Sequence, residues 1–286
     1  MTARVFDDRV CALGEGALWH PRIQQLFWFD IIGQKLMSQG QNRALEWHFD
    51  EPVSAAGWVS DTEVLIASAS GLWRFDWTQG RRTQLCPLEA KNDVTRSNDG
   101  RADPWGGFWI GTMGRNAEAN AGAIYRYYQG TLKTLFTDIT ISNAICFAPD
   151  RSVAYYTDTS TKRIMSVALD RNGWPTGAPH PFVDLEPLGL NPDGAVTDAK
   201  GTLWVALWGA SKVAAFDRKG APAGTVDIPA SQVTCPAFGG PDYNTLYVTS
   251  AATGLNLSEN EHQTEHGMVF ARENTGPGRP EPRVLL

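Results

Sequence analysis

No stretch of this 286-residue chain approaches the roughly 18 consecutive apolar residues that would cross a bilayer as a helix. It has no excess of positive charge either: 25 Lys and Arg stand against 31 Asp and Glu, a formal net charge of -6. A chain without a basic stripe is poorly suited to bind nucleic acid or an anionic membrane surface. The first residues, Met1-Thr2-Ala3-Arg4-Val5-Phe6-Asp7-Asp8, put acids where a secretory signal would carry its apolar segment. Cysteine is scarce. Cys11, Cys86, Cys146 and Cys235 lie far apart and form no CxxC, so four buried thiols in a reducing compartment are expected rather than a disulfide framework. A soluble, cytoplasmic protein is the expectation. GxSxG, HExxH and Gly-rich phosphate loops are missing as well. The five His residues show no ligand pattern, and His262 and His266 fall in what reads as a polar surface loop.

What is plentiful is turn formers and aromatics: 28 Gly, 17 Pro and 11 Trp, a composition of many short strands. A short aromatic or β-branched segment recurs at Leu26–Asp30, Val64–Ser68, Phe108–Thr112, Val153–Asp158, Leu203–Leu207 and Leu246–Ser250. The starts are about 38, 44, 45, 50 and 43 residues apart, the length of a propeller blade. Turn signals precede these segments, as in Pro104-Trp105-Gly106-Gly107 and Asp198-Ala199-Lys200-Gly201. A further strand pattern follows each, and nothing with a 3.6-residue period interrupts the series. The pattern predicts an all-β, six-bladed β-propeller, one domain over residues 1–286. Either Arg4-Val5-Phe6 or Arg283-Val284-Leu285 could complete the last blade and close the ring.

In a propeller the innermost strand of each blade lines the central channel. About ten positions before each aromatic segment stand Glu15, Ser54, Asn98, Asn143, Asp193 and Cys235. At one register of a six-fold ring, one Glu, two Asn and one Asp converge on a single point. That is a hard, oxygen-only set suited to Ca²⁺, Mg²⁺ or Mn²⁺, with Zn²⁺ or Fe²⁺ also possible, and with water completing the coordination.

The chain resembles the gluconolactonase / senescence marker protein (regucalcin-like) family of sugar lactonases. The carrying blocks are Gly14-Glu15-Gly16-Ala17-Leu18-Trp19-His20, Arg96-Ser97-Asn98-Asp99-Gly100 running to Phe108-Trp109-Ile110-Gly111-Thr112-Met113, Ile141-Ser142-Asn143, and Asn191-Pro192-Asp193-Gly194. The resemblance implies a metal held by Glu15, Asn143 and Asp193, and substrate contacts from Arg96, Asn98 and Glu118. It implies metal-dependent hydrolysis of a sugar lactone to the aldonic acid, with Asp193 as general base; the alternative is a non-enzymatic calcium-binding propeller. Two positions depart from the family pattern. Ala17 stands where Pro is usual, and Ala144 where Gly is usual, each with consequences expected for local backbone.

Overall fold

In the computed structural model, which describes residues 2–40, 43–255 and 265–286, six four-stranded antiparallel sheets stand around an axis as the blades of a propeller. Five blades follow chain order, with inner strands Gly14–His20, Val53–Ser60, Thr95–Ala102, Ser142–Phe147 and Asn191–Thr197. The recurring aromatic segments are the second strands: Gln25–Asp30, Glu63–Ser68, Phe108–Gly114, Val153–Asp158, Leu203–Trp208 and Thr245–Ser250. Neighbouring blades cover both faces of these strands, so they read as continuous apolar runs instead of alternating. Leu26, Phe27, Trp28 and Phe29 are all wholly buried. Towards the rim one face meets water and alternation returns, as in Ala44–His48. Among the described residues, no helix is long and apolar enough to cross a membrane.

The core is divided among the seams between blades. Phe27 and Phe29 of the first blade pack on Val64, Ile66 and Phe75 of the second. Trp109 and Ile124 of the third pack on Phe147 and Tyr156 of the fourth. The last seam joins Tyr247 and Val269 to Trp19, Leu26 and Trp28. A ring of this kind has no free ends once the last blade is complete. The N-terminal strand Arg4–Asp7 completes it, pairing with Val269–Arg272 outside Thr245–Ser250 and Val233–Gly239.

The other terminal candidate has a different fate. Residues 276–286 form a strap across the end of the channel remote from the start of the inner strands. Pro277 O accepts from Ala199 N–H (2.9 Å), and the Arg279 guanidinium donates to Phe147 O (2.7 Å). Glu281 pairs with buried Arg101 of the third inner strand, and Trp58 Nε1 donates to Glu281 O (2.8 Å). Beyond it Val284 is fully buried, its N–H on Trp58 O, and Leu285 N–H donates to Gly106 O. The strap thus ties blades two to five together from below.

Cys11, Cys146 and Cys235 are buried free thiols, while Cys86 is half-buried, a partial correction to the expectation of four buried ones. His266 is also buried, not at the surface; its neighbour Gly267 accepts the Cys11 N–H (2.9 Å), which holds this segment against the chain. His262 lies outside the described residues.

Breaking a buried ion pair leaves the surviving charge without compensation and costs about 3–5 kcal/mol. Glu281→Gln, which strands Arg101, is expected to lower unfolding stability by about that much. Glu273→Gln, which removes only the exposed partner of Arg4, is expected to cost under about 1 kcal/mol. Urea denaturation midpoints of the two variants, compared with the wild type, check the contrast.

Candidate functional site

The ring focuses side chains through a repeated irregularity. All six inner strands shift register near their start, between Glu15 and Leu18, Val53 and Ala55, Ser97 and Gly100, Asn143 and Cys146, Pro192 and Ala195, and Val233 and Pro236. A β-bulge re-aims a side chain and sharpens local twist. Here it falls at the positions singled out by counting, and Glu15, Asn98, Asn143 and Asp193 are each buried at the channel mouth. Together they form part of the wall of one cavity of about 360 Å³. That is within the range of small-molecule sites, about 300–1,000 Å³. Leu13, Met113, Ile141 and Trp208 supply apolar walls; Arg96 and Lys162 supply the positive charge.

Two bulge positions take left-handed backbone. Gly16 has φ +58°, and a Cβ there would lie 2.3 Å from Ser54 O of the next blade. Ala144 has φ +56°, so its methyl sits in a conformation that glycine adopts without strain. This is the local consequence of the departure at that position. Ala17, where the family pattern has Pro, packs against Cys235 and Ala237 of the sixth inner strand.

A directed hydrogen-bond relay orders the amides. Arg96 Nη1 donates to Asn98 Oδ1 (2.8 Å) and Ser97 O. Asn98 Nδ2 donates in turn to Asn143 Oδ1 (3.0 Å) and Ser142 O. Asn143 Nδ2 donates to Thr159 Oγ1 (2.9 Å), whose hydroxyl donates to Pro192 O (2.7 Å). The relay turns Asn143 so that its amide nitrogen faces Thr159, and Oδ1 keeps a lone pair beyond its bond to Asn98.

The carboxylates are less well satisfied. Glu15 Oε2 accepts the N–H of Gly16 (3.0 Å) and its carboxyl shares a hydrogen bond with that of Asp193, while Asp193 Oδ1 is buried with no hydrogen-bond partner among the described residues. Burial, then the charge of Asp99, raises the pKa of Glu15; burial, then Glu15 and Asp99, raises that of Asp193 well above the ordinary carboxylate range. Asp99 is itself pushed up to about 6 by burial, although Ile145 N–H donates to it (2.7 Å). Burial depresses Arg96 to about 10.

Five of the six residues expected at the site are therefore together. Glu118 is not among those lining the cavity. It is half-buried in the loop after Gly114, accepting from Asn116 N–H and Nδ2 at 3.0 and 2.9 Å, bonds that hold its carboxyl below the usual range. Simple strand alternation puts Asp99 on the opposite face from Asn98, so its position in the repeat does not mark it; the bulge between Ser97 and Gly100 overrides that alternation. Thr159 and Lys162 come from a loop between second and third strands, outside the register that was counted.

The residues fit a divalent cation. Two close carboxylates, one with a bare buried oxygen, and an amide oxygen oriented by its own nitrogen make a hard donor set whose mutual repulsion a dication would relieve.

The sequence model of the SMP-30/Gluconolactonase/LRE-like region matches residues 13–252, and the chain belongs to that family. It is 39% identical to a calcium-binding protein, regucalcin, from Agrobacterium tumefaciens, whose crystal structure superposes with a TM-score of 0.97 over 100% of this chain and 98% of that one. It is 34% identical to the L-arabinolactonase of Azospirillum brasilense, covering 94% of this chain and 95% of the relative. A pentonolactonase of Haloferax volcanii is 30% identical over 99% and 98% of the two chains.

Two predictions follow from the strained and charged floor. Gly16→Ala forces a Cβ into backbone and is expected to cost about 1–3 kcal/mol. Ala144→Gly exchanges relief of strain against chain entropy and is expected to stay within about 1 kcal/mol; thermal unfolding distinguishes them. The second concerns pH. With raised carboxyl pKa values, the metal-free folded state holds protons that the unfolded chain has released. Its stability should therefore fall as pH rises from the ordinary carboxylate range through neutrality. Chelator-treated protein melted across that range should show the fall, and added divalent cation should diminish it.

Proposed function

We propose that this protein hydrolyses a sugar lactone to the aldonic acid at the channel mouth, with a divalent cation held by Glu15, Asn143 and Asp193. The observation that carries the reading is the bare, buried Asp193 Oδ1 beside Glu15 on the floor of a small-molecule cavity. The lactonase names of the Azospirillum and Haloferax relatives support the reaction class. The calcium-binding description of the Agrobacterium relative agrees with a dication.

When bound, the cation supplies Lewis-acid polarisation of the lactone carbonyl and compensates the acids around it. The Asp193 carboxylate accepts the proton of the attacking water as the water oxygen bonds to the carbonyl carbon. The ring C–O bond then breaks, and the ring oxygen leaves as the new hydroxyl by taking back the proton held on Asp193, which restores the carboxylate. Asn98 and Arg96 orient the ring hydroxyls. Among the described residues, Arg96 has protein partners only at Nη1, so its other N–H groups are free for a ligand. The apolar walls pack on the ring carbons and limit stray water. Lactones already open in water, so polarisation and positioning are sufficient demands on the site.

Asp193→Asn and Glu15→Gln should each lower lactone kcat/KM by roughly 10²–10³ or more, the scale of losing one electrostatic element, with unfolding stability retained. Acid release from a panel of aldonolactones, with Ca²⁺, Mn²⁺, Zn²⁺, Mg²⁺ or Fe²⁺ supplied in turn, is the measurement. Turnover that survives both substitutions and chelation would exclude the metal-assisted route. Tight cation binding with no turnover of any lactone would favour a purely calcium-binding protein.

A further inference from the structure

We infer that Lys162 makes the site selective for lactones that carry an anionic substituent away from the reacting carbonyl. The inference rests on the lactonase reading above, which puts the carbonyl on the floor formed by Glu15, Asn143 and Asp193.

Lys162 is half-buried and lines the same cavity as those residues. Its backbone is fixed rather than left to a loose loop. It ends the 3₁₀ turn Thr159–Thr161, with its N–H on Thr159 O (3.1 Å) and its carbonyl accepting Leu185 N–H (2.9 Å). Thr159 in turn bonds Asn143, so the base of Lys162 is tied to the floor through two short links.

The ammonium group has no ion-pair or hydrogen-bond partner among the described residues. The acids next to it in the fold are already engaged. Asp158 accepts the N–H groups of Thr140, Ile141 and Ser160, and Asp184 pairs with Arg163 (3.2 Å). Lys162 therefore brings an uncompensated positive charge to the cavity. The acids of the floor are matched to a cation and a carbonyl, not to this ammonium. Ile141, Met113 and Trp208 line the cavity too, and apolar walls strengthen an electrostatic contact relative to open water. A neutral sugar needs only hydroxyl partners, which Arg96 and Asn98 supply. A carboxylate, phosphate or sulfonate carried by the sugar gives Lys162 its missing partner.

The test uses the full chain loaded with whichever divalent cation gives the highest turnover. Substrates are D-glucono-1,5-lactone, its 6-phosphate, and D-glucaro-1,4-lactone, which separate neutral, phosphate and carboxylate ends. The wild type should favour at least one anionic lactone over the neutral one by about 10-fold in kcat/KM. Lys162→Gln should remove that preference, mainly by raising KM for the anionic lactones. Lys162→Arg should keep the preference and Lys162→Glu should invert it. Calorimetric binding of 6-phosphogluconate against gluconate gives the same comparison without turnover. A wild type that prefers the neutral lactone and binds gluconate at least as tightly overturns the inference. So does a Lys162→Gln variant in which neutral and anionic ligands weaken equally. If no lactone turns over but 6-phosphogluconate binding still depends on Lys162, the lactonase reading fails and the anion selectivity stands.

Discussion

Three carboxyl groups, Glu15, Asp99 and Asp193, are buried within one narrow channel, and the surrounding structure is organised around their mutual repulsion. Moving an ionised carboxylate out of water is costly unless hydrogen bonds or opposite charges replace the solvent. Each acid has a different remedy. Asp99 takes the Ile145 N–H and lies near Arg101; Glu15 takes its neighbour's N–H. Asp193 takes the N–H of Gly194, but its Oδ1 has no hydrogen-bond partner among the described residues. Arg101 cannot settle the balance alone, because the strap brings Glu281 to it from below. Arg96 and Lys162 line the same cavity, but among the described residues neither forms an ion pair with Glu15 or Asp193, so the floor itself remains short of positive charge. The deficit that makes the site unfavourable when empty is the same property that gives a dication something to bind.

The division of labour follows from the ring. Stability resides in the six apolar seams, away from the axis, where residues such as Phe27, Trp109 and Tyr247 interlock. The axis, free of that duty, carries polar residues whose geometry is set by neighbours in other blades. Asn143 is oriented by Asn98 of the preceding blade and by Thr159, which is anchored on Pro192 of the next. No single blade could hold that amide in place. A closed ring is thus a condition for the site as well as for the fold.

Much of this was legible from period. Second strands covered on both faces must be continuously apolar, and six of them at blade spacing left few alternatives. The channel register was legible for the same reason, since equivalent positions in a ring converge. Other features were hidden for physical reasons. Asp99 adjoins Asn98, and in a regular strand the two would point apart; only the bulge between Ser97 and Gly100 places both in the channel. Either terminus had the composition of an edge strand, and pairing with Val269–Arg272 decided for Arg4–Asp7. The strap has little secondary-structure signal because its backbone groups bond to other blades rather than to a strand partner. Nothing local marks Arg101 as buried, because its partner Glu281 lies 180 positions away in the chain.

The two left-handed bulge residues show which level of structure sets the floor. At Gly16 the sequence and the backbone agree: a residue without a side chain occupies a left-handed position pressed against Ser54 O. At Ala144 they disagree. The same conformation is held by a residue that resists it, at a cost of about 1–2 kcal/mol. Local preference would relax that strand into regular pairing. It does not, because relaxing would move Asn143 off its bonds to Asn98 and Thr159, and Ile145 N–H off Asp99. The contacts to Asn98 and Asp99 cross a blade boundary, and with the bond to Thr159 they outweigh the strain of one methyl group. The conformation at the axis is therefore imposed by the ring on the residue, and a family could vary this position without losing the donor set beside it.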